Sequence, residues 1–171
     1  DSAQMLRQIL DDVLDLSKIE AGALALAPTA VDLRVLVTNV QQLLLPQASS
    51  KGLLLVAEVR DSVAPAHFVD ANRLRQVLLN LTSNAIKFTP TRGTVTIETA
   101  CVDAKVRIVV SDSGVGISPE HLPHVFKRFY RVDPARGRDA GGAGLGLAIA
   151  RSIAEAHDGS IEMQSTLGEG T

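Results

Sequence analysis

The feature of this sequence that most constrains its fold is a pair of β-type segments separated by a short turn. The segments TVTIET, residues 94–99, and KVRIVVS, residues 105–111, are rich in β-branched residues, and a turn at about residues 102–104 joins them. Two such runs with so short a connection are typical of an antiparallel hairpin. Helical and β-type segments are mixed around the hairpin, so we expect an α+β fold in two layers, with a mixed sheet packed on about three helices. A doubly wound parallel sheet is less consistent with antiparallel neighbours.

Helical periodicity marks the segments on both sides of the hairpin. The first has an apolar seam, whose spacing of three and four residues is typical of a coiled coil or bundle, at Leu6, Ile9, Val13 and Leu16. This helix is expected to end near Gly22. The other expected elements are a helix from Asp32 to about Leu45 closed by Pro46, a strand at 52–59, a loop at 62–69, a helix from an Asp70 cap to Pro90, a short helix from Ser118, a helix from Leu145 to His157 and a strand at 160–165.

Composition and charge restrict the class of protein. With 171 residues, 46% of them hydrophobic and 3% aromatic, the chain has one domain's worth of aliphatic core. The net charge of −2 and the lack of a basic face argue against nucleic-acid binding. A single cysteine, Cys101, cannot form an internal disulfide, so we expect a reducing, cytoplasmic compartment. No apolar run approaches the roughly 20 residues that span a bilayer, so no membrane contact is expected from this chain, although the complete protein could be anchored in a membrane.

Two asparagines interrupt the helix that begins at Asp70, in the stretch NLTSNAIKF. On the period of an α-helix, Asn80, Asn84 and Lys87 project within roughly 60° of one another, along the edge of the apolar face. Asparagine is a mediocre helix former, so the stripe predicts a function that offsets its cost. An amide oxygen suits Mg²⁺, and a lysine can meet a phosphate charge. A solvated helix face would give the same pattern.

An acidic residue with two glycines follows the second strand of the hairpin. Asp112 comes directly after that strand, and Gly114 and Gly116 follow it. A carboxylate only accepts hydrogen bonds, so at the base of a pocket it would select adenine's amino group over guanine's carbonyl. The glycines would let a planar ring approach the backbone. The alternative is an ordinary Asp-x-Gly turn.

Four glycines precede the last helix, at positions 141, 142, 144 and 146. Backbone N–H groups at a helix N-terminus, uncluttered by side chains, can bind an anion. No Lys-Ser or Lys-Thr pair follows these glycines, so they are not a P-loop, and their spacing is not that of a Rossmann turn. The alternative is a flexible linker.

An aromatic and basic segment, FKRFYRVD, precedes these glycines. It carries Phe126, Phe129, Tyr130 and Arg131, which either pack with solvated arginines or anchor a lid and supply a cation to a terminal phosphate. The charged stretch that follows, from about Asp133 to Gly142, has little apolar content and is expected to be a mobile lid.

None of the four histidines has a catalytic pattern. His121 and His124 share a short helical segment and are expected at the surface, His157 suits the negative end of its helix, and His67 is expected in a loop.

The order of the motifs is more specific than any one of them. An Asn-x-x-x-Asn-Ala helix, an Asp-x-Gly-x-Gly turn, a Phe-rich segment and a Gly-x-Gly-x-Gly segment follow one another. This order resembles the catalytic and ATP-binding domain of sensor histidine kinases, within the GHKL superfamily shared with type II topoisomerases and MutL-like ATPases. The resemblance covers the chain: residues 1–22 resemble the second helix of the dimerisation and phosphoacceptor hairpin, and residues 23–171 resemble a catalytic domain of the Bergerat fold that stops inside its last glycine motif.

The resemblance implies a role for each matching residue. Asn84, with Asn80, would bind Mg²⁺, Lys87 would contact phosphate, and Arg131 would lie near the γ-phosphate; the implied catalytic residues are Asn80, Lys87 and Arg131. Ala143 stands where the family commonly has a hydroxyl side chain, which removes one contact. The implied nucleotide-binding residues are Asn84, Asp112, Gly114, Gly116, Ile117, Phe88, Phe129, Tyr130, Gly142, Gly144, Leu145 and Gly146.

The function implied is transfer of the γ-phosphate of Mg·ATP to a histidine on a segment absent from this chain, in a two-component phosphorelay. The implied partners are ATP or ADP, the protein's own phosphoacceptor hairpin, a second copy of the chain and the receiver domain of a response regulator. Two alternatives remain open, an inactive nucleotide-sensing interaction module and a conformational ATPase. The latter normally has a carboxylate one turn before the first asparagine, where this chain has Gln76, which cannot abstract a proton.

Overall fold

The computed structural model describes residues 2–132 and 143–171. The elements within these residues are α1 (Ser2–Glu20), β1 (Thr29–Val31), α2 (Leu33–Ser50), β2 (Leu54–Val59), β3 (His67–Val69), α3 (Ala71–Phe88), β4 (Thr94–Val102), β5 (Lys105–Asp112), a 3₁₀ turn (Leu122–His124) and α4 (Gly146–Ala156). No helix in these two ranges is long and apolar enough to cross a membrane.

A three-stranded mixed sheet, in the order β2–β4–β5, forms one layer. β4 and β5 form the predicted hairpin, which closes where Val102 faces Lys105. The turn residues Asp103 and Ala104 have φ values of 50° and 62°, the left-handed conformation that a two-residue hairpin turn requires. β2 pairs with β4 in parallel, and the connection between them contains α3. The predicted α+β class and mixed sheet are confirmed.

Helices α2 and α3 cover one face of this sheet. On β4, the alternate residues Val95, Ile97 and Thr99 are fully buried, because successive side chains of a strand point to opposite faces. The helical side of this core is formed by Leu36, Val37, Val40, Leu44, Ala48, Leu78, Ala85 and Ile86. Burial on this face fixes how α3 is rotated, and hence which of its residues face outward.

A second core cluster holds α1 and α4 against the other side of α3. Leu16 of α1 and Val77 of α3 pack there, and the α4 side of the cluster consists of Leu145, Ile149, Ala150 and Ile153. Since α3 is packed on two sides, the edges between these contacts are the parts of its surface that remain for other functions.

A second, two-stranded sheet was not predicted. The expected loop at 62–69 contains β3, which pairs antiparallel with β1 so that Phe68 faces Ala30. Each strand has three residues, too few to show a period, and the pairing joins segments that are far apart in sequence. The loop prediction was therefore wrong for residues 67–69.

Helix α2 continues past the proline that was expected to end it. Pro46 lies inside the helix, which extends to Ser50. An interior proline costs about 3 kcal/mol because it removes one hydrogen bond and crowds the preceding turn. Leu44 and Ala48, on either side of it, are buried in the core, and this burial offsets the cost.

Two further expectations differ from the structure. The short helix expected from Ser118 is limited to a 3₁₀ turn at Leu122–His124. The segment 160–165 keeps the alternating burial of a strand but forms no ladder. Alternating burial shows only that one face of the segment is covered by the protein. An extended segment can be covered in this way without forming hydrogen bonds to a neighbouring strand.

Candidate functional site

Helix α3 is the platform of the candidate site, and Asp70 fixes where it begins. Its Oδ1 accepts hydrogen bonds from the N–H groups of Asn72 (3.0 Å) and Arg73 (3.1 Å), and its Oδ2 accepts one from Ala27 (2.9 Å). Burial raises the pKa of Asp70, but these donors and the Arg73 charge outweigh it, so the pKa lies below its ordinary value. The predicted N-cap is confirmed, and it also ties the segment before β1 to α3.

His157 joins the end of α4 to the same cap. Its Nε2 accepts a hydrogen bond from the N–H of Asp70 (3.2 Å), and its Nδ1 donates to the carbonyl of Ile153 (2.8 Å). Together the two bonds select the neutral tautomer with its proton on Nδ1. His157 therefore does serve the carbonyl end of its helix, as predicted, and it also bridges two helices.

The predicted polar stripe lies on the free edge of α3. Asn80, Asn84 and Lys87 are all half-buried, as positions at the margin of a packed face must be. The Nδ2 of Asn80 donates to the carbonyl of Gly146 (3.1 Å), the first residue of α4. Within residues 2–132 and 143–171, neither asparagine side-chain oxygen accepts a hydrogen bond, so both keep acceptor capacity for a ligand.

Lys87 is a perturbed cation at the end of this stripe. Burial lowers its pKa, and so does the nearby positive charge of Arg131. Its Nζ also lies 5.0 Å from the centroid of the Phe88 ring, which is 51% exposed. Two positive charges that lie close together form a place where a bound anion would be stabilised.

Asp112 ends β5 with its carboxylate half-buried. Burial raises the pKa of Asp112, and hydrogen bonds from the backbone of Gly114 and Thr171 partly offset this rise. The N–H of Gly114 donates to Oδ1 (2.8 Å), which is the Asp-x-Gly turn that the sequence left open as an alternative. The turn uses one acceptor site of the carboxylate, so the turn and a ligand role are compatible.

The two glycines after Asp112 are explained by contacts within the chain that were not predicted. A Cβ on Gly114 would overlap the Phe88 carbonyl, and a Cβ on Gly116, which has φ of 66°, would overlap the Thr166 carbonyl. Close approach of the chain to itself therefore explains why glycine is required at both positions. The expectation that they make room for a planar ring is not needed to account for them.

The C-terminal segment closes against this loop. The N–H of Ile117 donates to Ser165 Oγ (2.8 Å), and the N–H of Gly168 donates to the carbonyl of Val115 (2.8 Å). The N–H of Asp112 donates to the carbonyl of Thr171 (2.8 Å). These bonds hold residues 112–117 in one conformation.

The aromatic segment packs against the residues just before α4. The N–H of Phe129 donates to the carbonyl of Gly144 (2.9 Å), and Gly144 has φ of 72° with no space for a Cβ. Tyr130 directs its hydroxyl to His121 Nδ1 (2.7 Å), whereas Phe129 is 63% exposed. Leu145, predicted as a nucleotide contact, is 1% exposed in the core, so any contact would be limited to its backbone.

Two of the histidines are more deeply placed than predicted, and a third lies in a strand. His121 and His124 are half-buried against Tyr130, with ring centroids at 6.1 and 5.5 Å. The prediction that they are surface residues was wrong because Tyr130 folds back over them. His67 lies in β3 and not in a loop.

Helix α1 docks on α3 through a polar cluster. Arg73 Nη1 contacts Asp15 Oδ1 (2.8 Å) and Gln76 Oε1 (2.9 Å), and Gln76 Nε2 donates to Asp15 Oδ2 (2.6 Å). The Asp15 and Arg73 side chains are 14% and 20% exposed. A groove between the two helices continues from this cluster to Asn80 and includes no residue of the 112–117 loop.

These contacts bring the described site residues onto one side of the molecule. The N–H of Val115 donates to the carbonyl of Phe88 (3.3 Å), which joins the Asp112 loop to the end of α3. Helix α4 begins beside Asn80, and the segment ending at Arg131 places its charge near Lys87. The loop, the stripe and the start of α4 are therefore neighbours.

Some predictions fall outside the described residues, namely Gly142 and the expected lid at Asp133–Gly142. Among the described residues, no group of three His, Cys, Asp or Glu side chains could hold a metal ion. A metal at this site would need ligands of another kind, such as amide and phosphate oxygens.

Comparison with known families decides the affiliation. Residues 69–171 match the profile described as "Histidine kinase-, DNA gyrase B-, and HSP90-like ATPase", and this range is more than half of the chain. The chain belongs to this family. The matched range begins at the end of β3 and includes α3, the Asp112 loop and the start of α4, so the predicted resemblance is confirmed where its motifs lie.

Individual relatives agree with the family assignment. The circadian input-output histidine kinase CikA of Synechococcus elongatus is 36% identical over 172 residues, which cover 100% of this chain and 23% of CikA. The histidine protein kinase DivJ of Caulobacter vibrioides is 40% identical over 174 residues, covering 100% of this chain and 28% of DivJ. The crystal structure of full-length ShkA in complex with AMPPNP superimposes with a TM-score of 0.87 at 34% identity, covering 99% of this chain and 35% of ShkA. The chain thus spans about a quarter to a third of the length of these family members.

Two residues of this family member were not predicted to support the site. Asp15 holds α1 to α3, and the Lys51 ammonium contacts the last turn of α3. Each acts on a residue more than thirty positions away in sequence. No local signal in the sequence indicates either contact.

Proposed function

We propose that this chain is the ATP-binding catalytic domain of a sensor histidine kinase, which transfers the γ-phosphoryl group of Mg·ATP to a histidine outside this chain. The observation that carries the proposal is the placement of the Lys87 and Arg131 charges together at the end of the asparagine stripe. A polyphosphate carries several negative charges, so it would be attracted to a place where two positive charges lie near each other. Membership of the family supports the same conclusion.

Asp112 is proposed to select the base. Adenine presents an amino group where guanine presents a carbonyl, so an acceptor-only carboxylate favours adenine. The N–H groups of Gly114 and Thr171 use part of the acceptor capacity of the carboxylate, whose two oxygens offer about four sites, so capacity for the base remains. The AMPPNP in the ShkA complex, which has an adenine base, is consistent with this assignment. The residues proposed to complete the nucleotide site are Phe88, Gly114, Gly116, Ile117, Phe129, Tyr130, Gly142, Gly144, Leu145 and Gly146.

Asn84 and Asn80 are proposed to hold Mg²⁺. Both present side-chain oxygens that accept no hydrogen bond from the described residues, and neutral amide oxygens are suitable ligands for this hard cation. Mg²⁺ is usually bound by few protein ligands together with substrate phosphates and water, which fits a site without a carboxylate cluster. When bound, the ion would supply positive charge to the phosphate oxygens.

The proposed reaction is a phosphoryl transfer. A nitrogen of the acceptor imidazole forms a bond to the γ-phosphorus, the bond from that phosphorus to the β,γ-bridging oxygen breaks, and ADP leaves. Such transfer depends on positioning and charge neutralisation more than on covalent chemistry. Lys87 and Arg131 would neutralise the phosphate charge, and Asn80 would help to position it.

The acceptor and the other partners are proposed to involve the rest of the protein. On α1, Leu16 is buried against α4, whereas Leu6, Leu10, Val13 and Leu14 are exposed. This exposed seam supports residues 1–22 as the second helix of a dimerisation and phosphoacceptor hairpin, and residues 23–171 as the catalytic domain. A second copy of the chain and the receiver domain of a response regulator are the proposed protein partners. Dependence on ATP is consistent with a cytoplasmic location.

Calorimetric titration of the chain with ADP tests the proposed site. With Mg²⁺ present, Asn84→Ala should weaken binding by about ten-fold or more because it removes a metal ligand. Without Mg²⁺, the variant and the parent chain should differ little. Asn39→Ala, at an exposed position of α2, is the matched control. Equal affinities of Asn84→Ala and the parent chain in Mg²⁺ would refute the proposed site.

A further inference from the structure

We infer that Lys51, in the turn between α2 and β2, is a positioning residue for the phosphate side of the site. Its Nζ donates to the carbonyls of Ile86 (2.8 Å) and Lys87 (2.6 Å), in the last turn of α3. The second of these carbonyls belongs to the lysine proposed to meet phosphate. This inference rests on the proposed function for its link to nucleotide, and on the contacts alone for its link to α3.

The Lys51 backbone is fixed before its side chain reaches α3. Its N–H donates to the carbonyl of Ala48 (3.1 Å) at the end of α2, and the next residue, Gly52, has φ of 68°. The carbonyl of Gly52 accepts a hydrogen bond from the N–H of Arg92 (3.0 Å), in the loop after α3. The turn is therefore attached to that loop, and this attachment fixes the position from which the Lys51 side chain reaches the end of α3.

Lys51 completes the capping of α3. The last four carbonyls of an α-helix lack partners within the helix. Here Ala85 accepts hydrogen bonds from the N–H and hydroxyl of Thr89, and Phe88 accepts one from Val115. Lys51 supplies the donor for the two carbonyls between them. Without its ammonium, the turn that carries Lys87 would lose both of these bonds.

Electrostatics gives the same contact a second consequence. The carboxyl end of a helix carries partial negative charge, which would repel a polyphosphate brought to Lys87. The Lys51 ammonium lies on the carbonyls that carry this charge and neutralises it. Removing the ammonium should therefore weaken a phosphate-bearing ligand more than a ligand without phosphate.

The test compares Lys51→Met, which keeps the aliphatic stem, with Lys51→Arg, which keeps the charge. Lys105→Met, at an exposed position of the hairpin, is the control. Amide hydrogen exchange is measured without nucleotide, and binding of Mg·ADP and of adenosine is measured by calorimetry. In Lys51→Met, exchange at Thr89 and Val115 should accelerate about ten-fold. Its affinity for Mg·ADP should fall about five-fold or more, and its affinity for adenosine should fall by less than half of that factor.

The outcomes separate the two claims. Exchange at Thr89 unchanged by Lys51→Met would overturn the positioning role. If Lys51→Met loses affinity for Mg·ADP and for adenosine equally, and Lys51→Arg restores neither, Lys51 has only a structural role. That result would also overturn the positioning role. If the parent chain binds neither ligand, the proposed function fails, and the exchange measurement still decides whether Lys51 holds the end of α3.

Discussion

Replacing Asp112 with asparagine separates the two contacts of its carboxylate. The substituted amide keeps an oxygen that can accept the hydrogen bond from Gly114 at Oδ1, so the turn should persist. Its NH₂ group then takes the place of Oδ2, where the adenine amino group is proposed to bind. Two donors would face each other, and ATP should bind more weakly while the fold is preserved.

The size of the effect follows from the burial of Asp112. A hydrogen bond to a charged group contributes about 1.5–3 kcal/mol, and the lower part of this range applies to a carboxylate that is only half-buried. A loss of about 1.5–2 kcal/mol corresponds to a ten- to thirty-fold higher Kd. Guanine accepts at this position, so GTP should lose less affinity or gain some, and the preference for ATP should shrink.

Stability should change in the opposite direction. Because burial raises the pKa of Asp112 in the folded chain, its ionised form costs stability at neutral pH, and this cost disappears as the pH falls through the raised pKa. Asp112→Asn removes the cost, so without nucleotide it should unfold at an equal or higher temperature at pH 7. The difference should shrink as the pH falls and vanish below about pH 3, where the carboxyl is neutral in the folded and the unfolded chain.

Calorimetric titration with Mg·ATP and Mg·GTP, together with thermal unfolding by circular dichroism, measures both effects. Asp103→Asn, in the exposed hairpin turn, is the control because asparagine tolerates the positive φ found there. Unchanged ATP affinity in Asp112→Asn would refute the assignment of Asp112 to the base. Loss of ATP binding together with a lower unfolding temperature would instead indicate that the carboxylate acts on the fold.

Three further predictions concern the frame of the site. Asp70→Ala should lower the free energy of unfolding in urea at pH 7 by about 2–3 kcal/mol, because it leaves three N–H groups without an acceptor. The pKa of Asp70 is lowered in the folded chain, so the stability that its carboxylate contributes should be lost as the pH falls through that pKa. Gly116→Ala should cost about 3 kcal/mol by the same assay, because its Cβ would overlap a backbone carbonyl at positive φ, whereas Gly168→Ala, at positive φ with open space, should cost about 1 kcal/mol. A double-mutant cycle of Asp15→Ala and Arg73→Ala should give a coupling of about 1–2 kcal/mol, and a coupling near zero would mean that this pair does not hold α1 to α3.

Elements with a local signal could be predicted from the sequence. The hairpin follows from alternation and a short turn, and α3 follows from its Asp70 cap and the spacing of its apolar residues. The stripe of Asn80 and Asn84 was predictable for the same reason, since the period of a helix fixes which side chains share an edge.

Features that depend on distant contacts could not be predicted. The pairing of β1 with β3 joins three-residue strands across α2 and β2, and no periodicity reveals it. Pro46 would normally end a helix, but the burial of residues on both sides of it offsets the energetic cost of a proline inside α2. Lys51 looks like any surface lysine until the fold brings it to the end of α3. The glycines at 114 and 116 were recognised, but the reason for them lies in backbone contacts that only the folded chain contains.

The central claim is that this surface binds Mg·ATP and passes its γ-phosphoryl group to a histidine. The most direct measurement incubates the chain with γ-labelled ATP and a separately supplied phosphoacceptor hairpin from the parent protein. We predict label on the hairpin that is stable in alkali and labile in acid, dependent on Mg²⁺ and lost with Asn84→Ala, and no label on the chain itself. Steady release of inorganic phosphate with an unlabelled hairpin, or label on the chain itself, would contradict the account.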